Sequence, residues 1–182
     1  MPRIPLIETK DSIAPEHQPI YQAIVESRGA VRGSFPALLH VPAIADRTAR
    51  LGGYIRFESK LDPRIKGLAV LVATRELECR HEWSAQVRNA EKNGISRATV
   101  EAVHRRKPAS EFSQEDGAVV RYVQELLREH RVSEPAFQSL HSRLGVQALV
   151  ELTATIGYYA MGSCTMNAFE LGSDHQPEGL AI

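Results

Sequence analysis

The segment from Arg64 to about Glu78 constrains the fold most. Ile65, Leu68, Ala69, Leu71 and Val72 recur at helical spacing and make a face that is nearly all apolar. Such a helix must be buried, so other elements have to cover it. Its start is marked by Ser59, Asp62 and Pro63, a stop and restart signal.

The neighbouring segments also read as helices. Pro15 opens the first, with Asp11 or Ser12 near its cap and Ile20, Ile24 and Val25 as its stripe; Gly29 and Gly33 break it. Phe35 to Val41 is a short turn ended by Pro42, and Ile44 to Phe57 carries a further apolar stripe. His81 to Asn93 is helical and stops at Gly94. Ser96 caps Arg97 to His104, and Ser113 with Asp116 resembles a capping box for Gly117 to His130. Ser133 and Pro135 start a helix with Phe137 and Leu140, and Val146 to about Phe169 is the last long one. Period-two alternation is essentially absent. The expectation is an all-α, single-domain helical bundle.

At 182 residues the chain suits one domain. Residues 1–14, with Pro2 and Pro5, read as an extended arm lying on the domain or on a partner subunit, and 15–175 as the helical domain. Basic and acidic residues balance at 22 each, without the basic stripe of a nucleic-acid binder. No apolar run suggests a membrane span, and the N-terminus lacks a signal-peptide pattern. Two cysteines far apart are no disulfide framework, so a cytoplasmic location with reduced thiols is expected. No Cys/His set has metal-ligand spacing and no Gly-rich phosphate loop follows a strand, so neither metal nor cofactor is expected.

The unusual cluster is Glu78 to Gln86. On a helix, Cys79, Glu82 and Gln86 share a face at spacings of three and four, and His81 reaches the same cleft from the side. A thiol, an imidazole and a carboxylate this close support proton transfer or thiolate chemistry, and a helix start helps to lower a thiol pKa. Free cysteines and large aromatics such as Trp83 are also ordinary core residues. Tyr158 and Tyr159 point to different helix faces, so at most one is expected in a cleft. Asn167 is either a cleft residue or a hydrogen-bonded core residue, and the remaining histidines, His175 included, are taken mostly as surface residues.

The chain resembles the carboxymuconolactone decarboxylase-like family. The resemblance rests on Leu51-Gly52-Gly53-Tyr54-Ile55-Arg56, Leu61-Asp62-Pro63-Arg64, Leu68 to Ala73, Glu82-Trp83, Ala90, Gly94, Val150-Glu151-Leu152 and Gly157-Tyr158-Tyr159. It runs over roughly residues 20–170. It implies an all-α fold, a homo-oligomer (dimer, trimer or hexamer), and one of two chemistries, muconolactone decarboxylation or thiol peroxidation of the alkylhydroperoxidase D type. The chain departs from the family at several points. Gly67 stands where a proton-relay Glu is expected, Glu82 where the resolving cysteine should be, and Gln86 where the following His usually is. Glutamine cannot shuttle protons.

The resemblance then implies Cys79, His81 and Glu82 as catalytic candidates, with His81 or Glu82 as general acid or base. Arg64, Trp83, Gln86 and Tyr158 are the substrate-binding candidates, and Arg56 or Arg80 could also grip a carboxylate. The expected function is a lyase-type enzyme acting on a small acidic or lactone substrate. The alternatives are a thiol-dependent peroxidase, with Cys164 as a distant resolving thiol if the last helix packs against Cys79, and a non-catalytic ligand-binding member.

Overall fold

A computed structural model describes residues 1–172 and 176–182. His175 and the expected domain end at 175 lie outside the described residues. The regular elements among the described residues are all helical. At the centre is α4 (Pro63–Glu76; α1–α3 precede it below), buried from Gly67 to Thr74. The Asp62 carboxylate accepts the Arg64 and Ile65 backbone N–H groups, and Pro63 needs no partner in the first turn.

Around it lie α5 (Arg80–Ala90), α6 (Arg97–His104), α7 (Gln114–Arg128) and α8 (Glu134–Ala168). A 3-10 turn, Glu91–Asn93, ends at Gly94 in the left-handed region (φ 73°), which closes α5 as expected. Ser96 and Ser113 cap α6 and α7 by accepting Thr99 N–H and Asp116 N–H. Helix α8 is two rods, 134–144 and 146–168, broken at Gly145 (φ 72°, ψ 174°). The break falls between the two helices read from the sequence. Leu71, Trp83, Val120, Leu140, Leu152 and Ile156 are among the fully buried residues of the main core.

The N-terminal half adds α1 (Gln18–Arg28), α2 (Phe35–Leu38) and α3 (Pro42–Gly53). Pro15 opens a 3-10 turn rather than the helix; the α-helical ladder begins at Gln18, with Pro19 in its first turn. Pro19 has no N–H to give, which is harmless only there. Helix α3 starts at Pro42 and passes into a π-helical turn, Tyr54–Glu58. The arm lies on its own chain. Ile7 N–H donates to Pro36 O (3.0 Å), Arg3 pairs with Glu170, and Ile7 and Ile13 are buried with Ile24, Phe35 and Leu39. The sequence reading missed the C-terminal tail. Leu180 is 1% exposed in the main core, and its carbonyl accepts the Trp83 indole N–H at 2.7 Å.

Candidate functional site

A cavity of about 540 Å³ lies between the α1–α2 loop, the π-helical turn, the start of α4, α5 and α8. His81, Glu82, Ala85, Gln86 and Asn89 of α5 line it. Those positions repeat every three to four residues and so form one helix face. Glu82 sits in the first turn of α5, where the helix dipole favours an anion. The Gln86 amide donates to Glu82 Oε2 at 3.4 Å. Gly33 closes over the pair: a Cβ there would lie 3.7 Å from Glu82 Oε1 and 3.9 Å from His81 Nε2. At φ +65° a larger residue would be strained as well as crowded.

The wall is strongly cationic. Arg28, Arg32, Arg56, Lys66 and Lys92 line the cavity, and Glu82 is the one carboxylate among its described lining residues. None of the five cations forms an ion pair with a described residue. Arg28 donates to Ala49 O (3.0 Å) and stacks over Phe35. Lys66 donates to Ile55 O at 2.9 Å, which fastens the start of α4 to the π-helical turn. That turn carries Arg56 and Phe57 to the rim. Among the described residues no three His, Cys, Asp or Glu side chains gather as metal ligands.

Both tyrosines line the cavity, which corrects the expectation of at most one. Tyr158 meets Tyr159 edge to face, 5.4 Å between centroids, and its hydroxyl fills the space above Gly52. Burial, helped by the Glu82 charge, pushes the Tyr159 phenol up to about 12 against the opposing pull of Arg56 and Arg28. The hydroxyl therefore keeps its proton and can donate it in a hydrogen bond.

Other expected site residues lie elsewhere. Cys79 is 1% exposed and packs with Ala37, Met166 and Leu171, under Ile4 and Leu6 of the arm. It does not line the cavity. Its backbone is extended because it is the cap residue before α5, so the helical spacing that joined it to Glu82 and Gln86 does not apply. Burial pushes its thiol pKa up and outweighs the lowering by the Glu82 backbone N–H and the Ser163 hydroxyl. Helix α8 does pack on Cys79, through Met166, while Cys164 is exposed and both thiols are free.

Trp83 is fully buried core. Arg64 is held by both Asp116 oxygens and by Gly94 O (3.0 Å), and neither it nor Arg80 reaches the cavity. The Asp116 carboxylate is thereby committed to Arg64, while its backbone N–H makes the capping bond to Ser113. Asn167 is exposed and donates to Leu77 O (2.7 Å), neither cleft nor core. Of the expected residues the cavity gathers His81, Glu82, Gln86, Tyr158 and Arg56. Arg28, Arg32, Lys66, Lys92, Asn93 and Tyr159 were missed. For Asn89 the repeat along α5 was a usable signal, whereas the α1–α2 loop has none.

Gly67 is also explained here. A Cβ on Gly67 would lie 2.8 Å from Asn93 Nδ2, so the Asn93 side chain occupies the place a residue at 67 would use.

The arrangement is a helical bundle that encloses a cavity between a buried central helix and a neighbour bearing His-Glu. A crystal structure of an Agrobacterium tumefaciens protein of unknown function, suggested there to be the antioxidant defence protein AhpD, has this fold. It matches with a TM-score of 0.65 at 17% identity, over 80% of this chain and 99% of that one. The model of the carboxymuconolactone decarboxylase family matches residues 42–125, which include α4 and α5. The chain is thus similar to the carboxymuconolactone decarboxylase family over residues 42–125, and the structural likeness shows the fold. A comparison with curated proteins gave no significant match.

Proposed function

We propose that the protein is a lyase-type enzyme that decarboxylates a small acidic or lactone substrate, with His81 and Glu82 moving the proton. The observation that carries this reading is the pairing of those two groups, both against Gly33, within a cavity holding five unpaired cations. The cations select an anion. Glu82 or His81 protonates the carbon that loses carbon dioxide, work worth about 10²–10⁴ in rate. Gln86 holds Glu82 rather than carrying a proton.

A thiol-peroxidase reading has less support, because the cavity is lined by no thiol and Cys79 is buried. The same reading includes a cytoplasmic location and self-association. The apolar groove of Phe137, Val146 and Val150, the last two 66% and 62% exposed, is the proposed seat of a second copy. Light scattering on the wild type and on Val150→Glu tests that; a monomeric wild type refutes it.

The enzyme test follows ultraviolet loss of carboxylated muconolactones and β-keto acids, with His81→Ala and Glu82→Gln alongside. Turnover that falls by about 10² or more in either variant supports the reading. Tight binding of the acids without turnover would instead make the protein a binding module.

A further inference from the structure

We propose that the Tyr159 hydroxyl is a catalytic hydrogen-bond donor, placed to hold the carbonyl oxygen on which negative charge collects as the substrate's carboxyl group departs. The inference rests on the decarboxylase reading and adds the group that reading lacks. His81 and Glu82 account for the proton, and the cations for binding.

Three observations point to Tyr159. First, it lines the cavity while its hydroxyl has no hydrogen-bond partner among the described residues. Tyr21 donates to Glu8 O, Tyr54 to Glu151, and Tyr122 bonds Thr153, while the Tyr158 hydroxyl, also without a partner among the described residues, is wedged over Gly52. The ring is half-buried, and its hydroxyl is open to a ligand in the cavity. Second, it shares the cavity lining with Glu82, Arg56 and Arg28, whose charges act on it. Third, the ring is fixed. Tyr158 packs edge-on against it at 85°, and Tyr158 is seated over Gly52, which has no side chain to displace it. A donor held in advance stabilises developing charge without reorganising.

The step balances as follows. The bond between the substrate's carboxyl carbon and its neighbouring carbon breaks, and carbon dioxide leaves. The electron pair passes through that carbon to the conjugated carbonyl oxygen, giving an enolate that Tyr159 hydrogen-bonds. A proton from His81 or Glu82 then goes to the carbon, the carbonyl reforms, and the side chain is reprotonated from water. No oxidant or reductant is needed.

The test uses binding, so that it does not depend on having found the substrate. The probes are 5-oxotetrahydrofuran-2-carboxylate, which has a lactone carbonyl, and tetrahydrofuran-2-carboxylate, which lacks it. Calorimetry gives both dissociation constants for the wild type, Tyr159→Phe and, as a remote control, Tyr21→Phe. The expected result is a tenfold or greater preference of the wild type and Tyr21→Phe for the lactone acid. In Tyr159→Phe the two acids should bind within twofold of each other, with the ether acid unaffected. A wild type without preference, or a preference that survives in Tyr159→Phe, overturns the assignment of Tyr159 alone. A wild type that binds neither acid overturns the acid-binding reading of the cavity and this inference with it. Where turnover is measurable, Tyr159→Phe should lower kcat at least thirtyfold and change KM less than threefold; an equal loss in KM with kcat intact refutes a role in the step.

Discussion

Gly67→Ala reads directly whether Asn93 has taken the place of the side chain at 67. Gly67 lies inside α4, where alanine is the better helix former by about 1 kcal/mol. Against that gain stands crowding. The new Cβ would meet Asn93 Nδ2 at 2.8 Å, Cβ at 3.1 Å and Cγ at 3.2 Å. The amide nitrogen can turn away. The Cβ cannot, because the Glu91–Asn93 turn carries it. Overpacking of this kind costs about 1–3 kcal/mol. The balance places Gly67→Ala between no change and a loss of about 2 kcal/mol. In an Asn93→Gly background the crowding is gone, and the same substitution should stabilise by about 1 kcal/mol. An Asn93→Ala background keeps the Cβ and should fall between. Urea unfolding with unchanged m-values measures all three, and the cycle isolates the coupling. An effect of Gly67→Ala that is equal in the three backgrounds would refute the reasoning. The same contacts explain why a relay glutamate at 67 is not simply missing: Asn93 fills its place and puts an amide on the cavity wall instead.

Three further outcomes are expected. A coloured disulfide reagent at pH 8 should modify the exposed Cys164 at once and Cys79 only on unfolding, since burial raises the Cys79 pKa; fast reaction of two thiols would show that Cys79 is reachable. Arg64→Ala leaves the Asp116 carboxylate, 6% exposed, without its partner, but Arg64 is itself 38% exposed. It should therefore cost about 2–3 kcal/mol in denaturant, below the full value for a buried pair, with turnover per folded molecule unchanged; lost turnover would return Arg64 to the site. Tyr159 gives a pH signature. Its folded pKa of about 12 lies above the ordinary 10, so its contribution is complete below pH 10 and is lost as the unfolded chain ionises first. By pH 11.5 the wild type should lose about 2 kcal/mol more than Tyr159→Phe, measured from urea midpoints from pH 9 upward; equal losses would refute the shift.

Much of the scaffold was legible because it is written locally. The apolar run of α4, the Asp62-Pro63 start, the serine caps and the Gly94 stop each act within a few residues. So does the break between 144 and 146, where a left-handed glycine ends one rod and lets another begin. The site was legible only where it is also local. His81, Glu82 and Gln86 share a helix, and their type and spacing pointed to the cavity. Cys79 shows the limit of that argument: one residue before the helix, the period no longer sets direction, and the thiol turns into the core. Arg28, Arg32 and Tyr159 reach the cavity from segments separated by more than a hundred residues, which no local pattern encodes. Leu180 was hidden similarly. A single apolar residue in a polar tail gives no period, yet the unsatisfied indole of Trp83 needs its carbonyl.

Equal numbers of acidic and basic residues conceal the property that matters. Outside the cavity, arginines are committed: the half-buried Arg64 to Asp116 and Arg106 to Glu76, and the more exposed Arg128 also to Glu76. Inside it, five cations face one carboxylate. Gripping a carboxylate does not by itself speed its loss, because a cation that binds the departing group stabilises the ground state. A lyase built on this wall needs the departing carboxylate turned away from the cations. The cations then hold the anion that stays, and Tyr159 meets the oxygen that becomes charged.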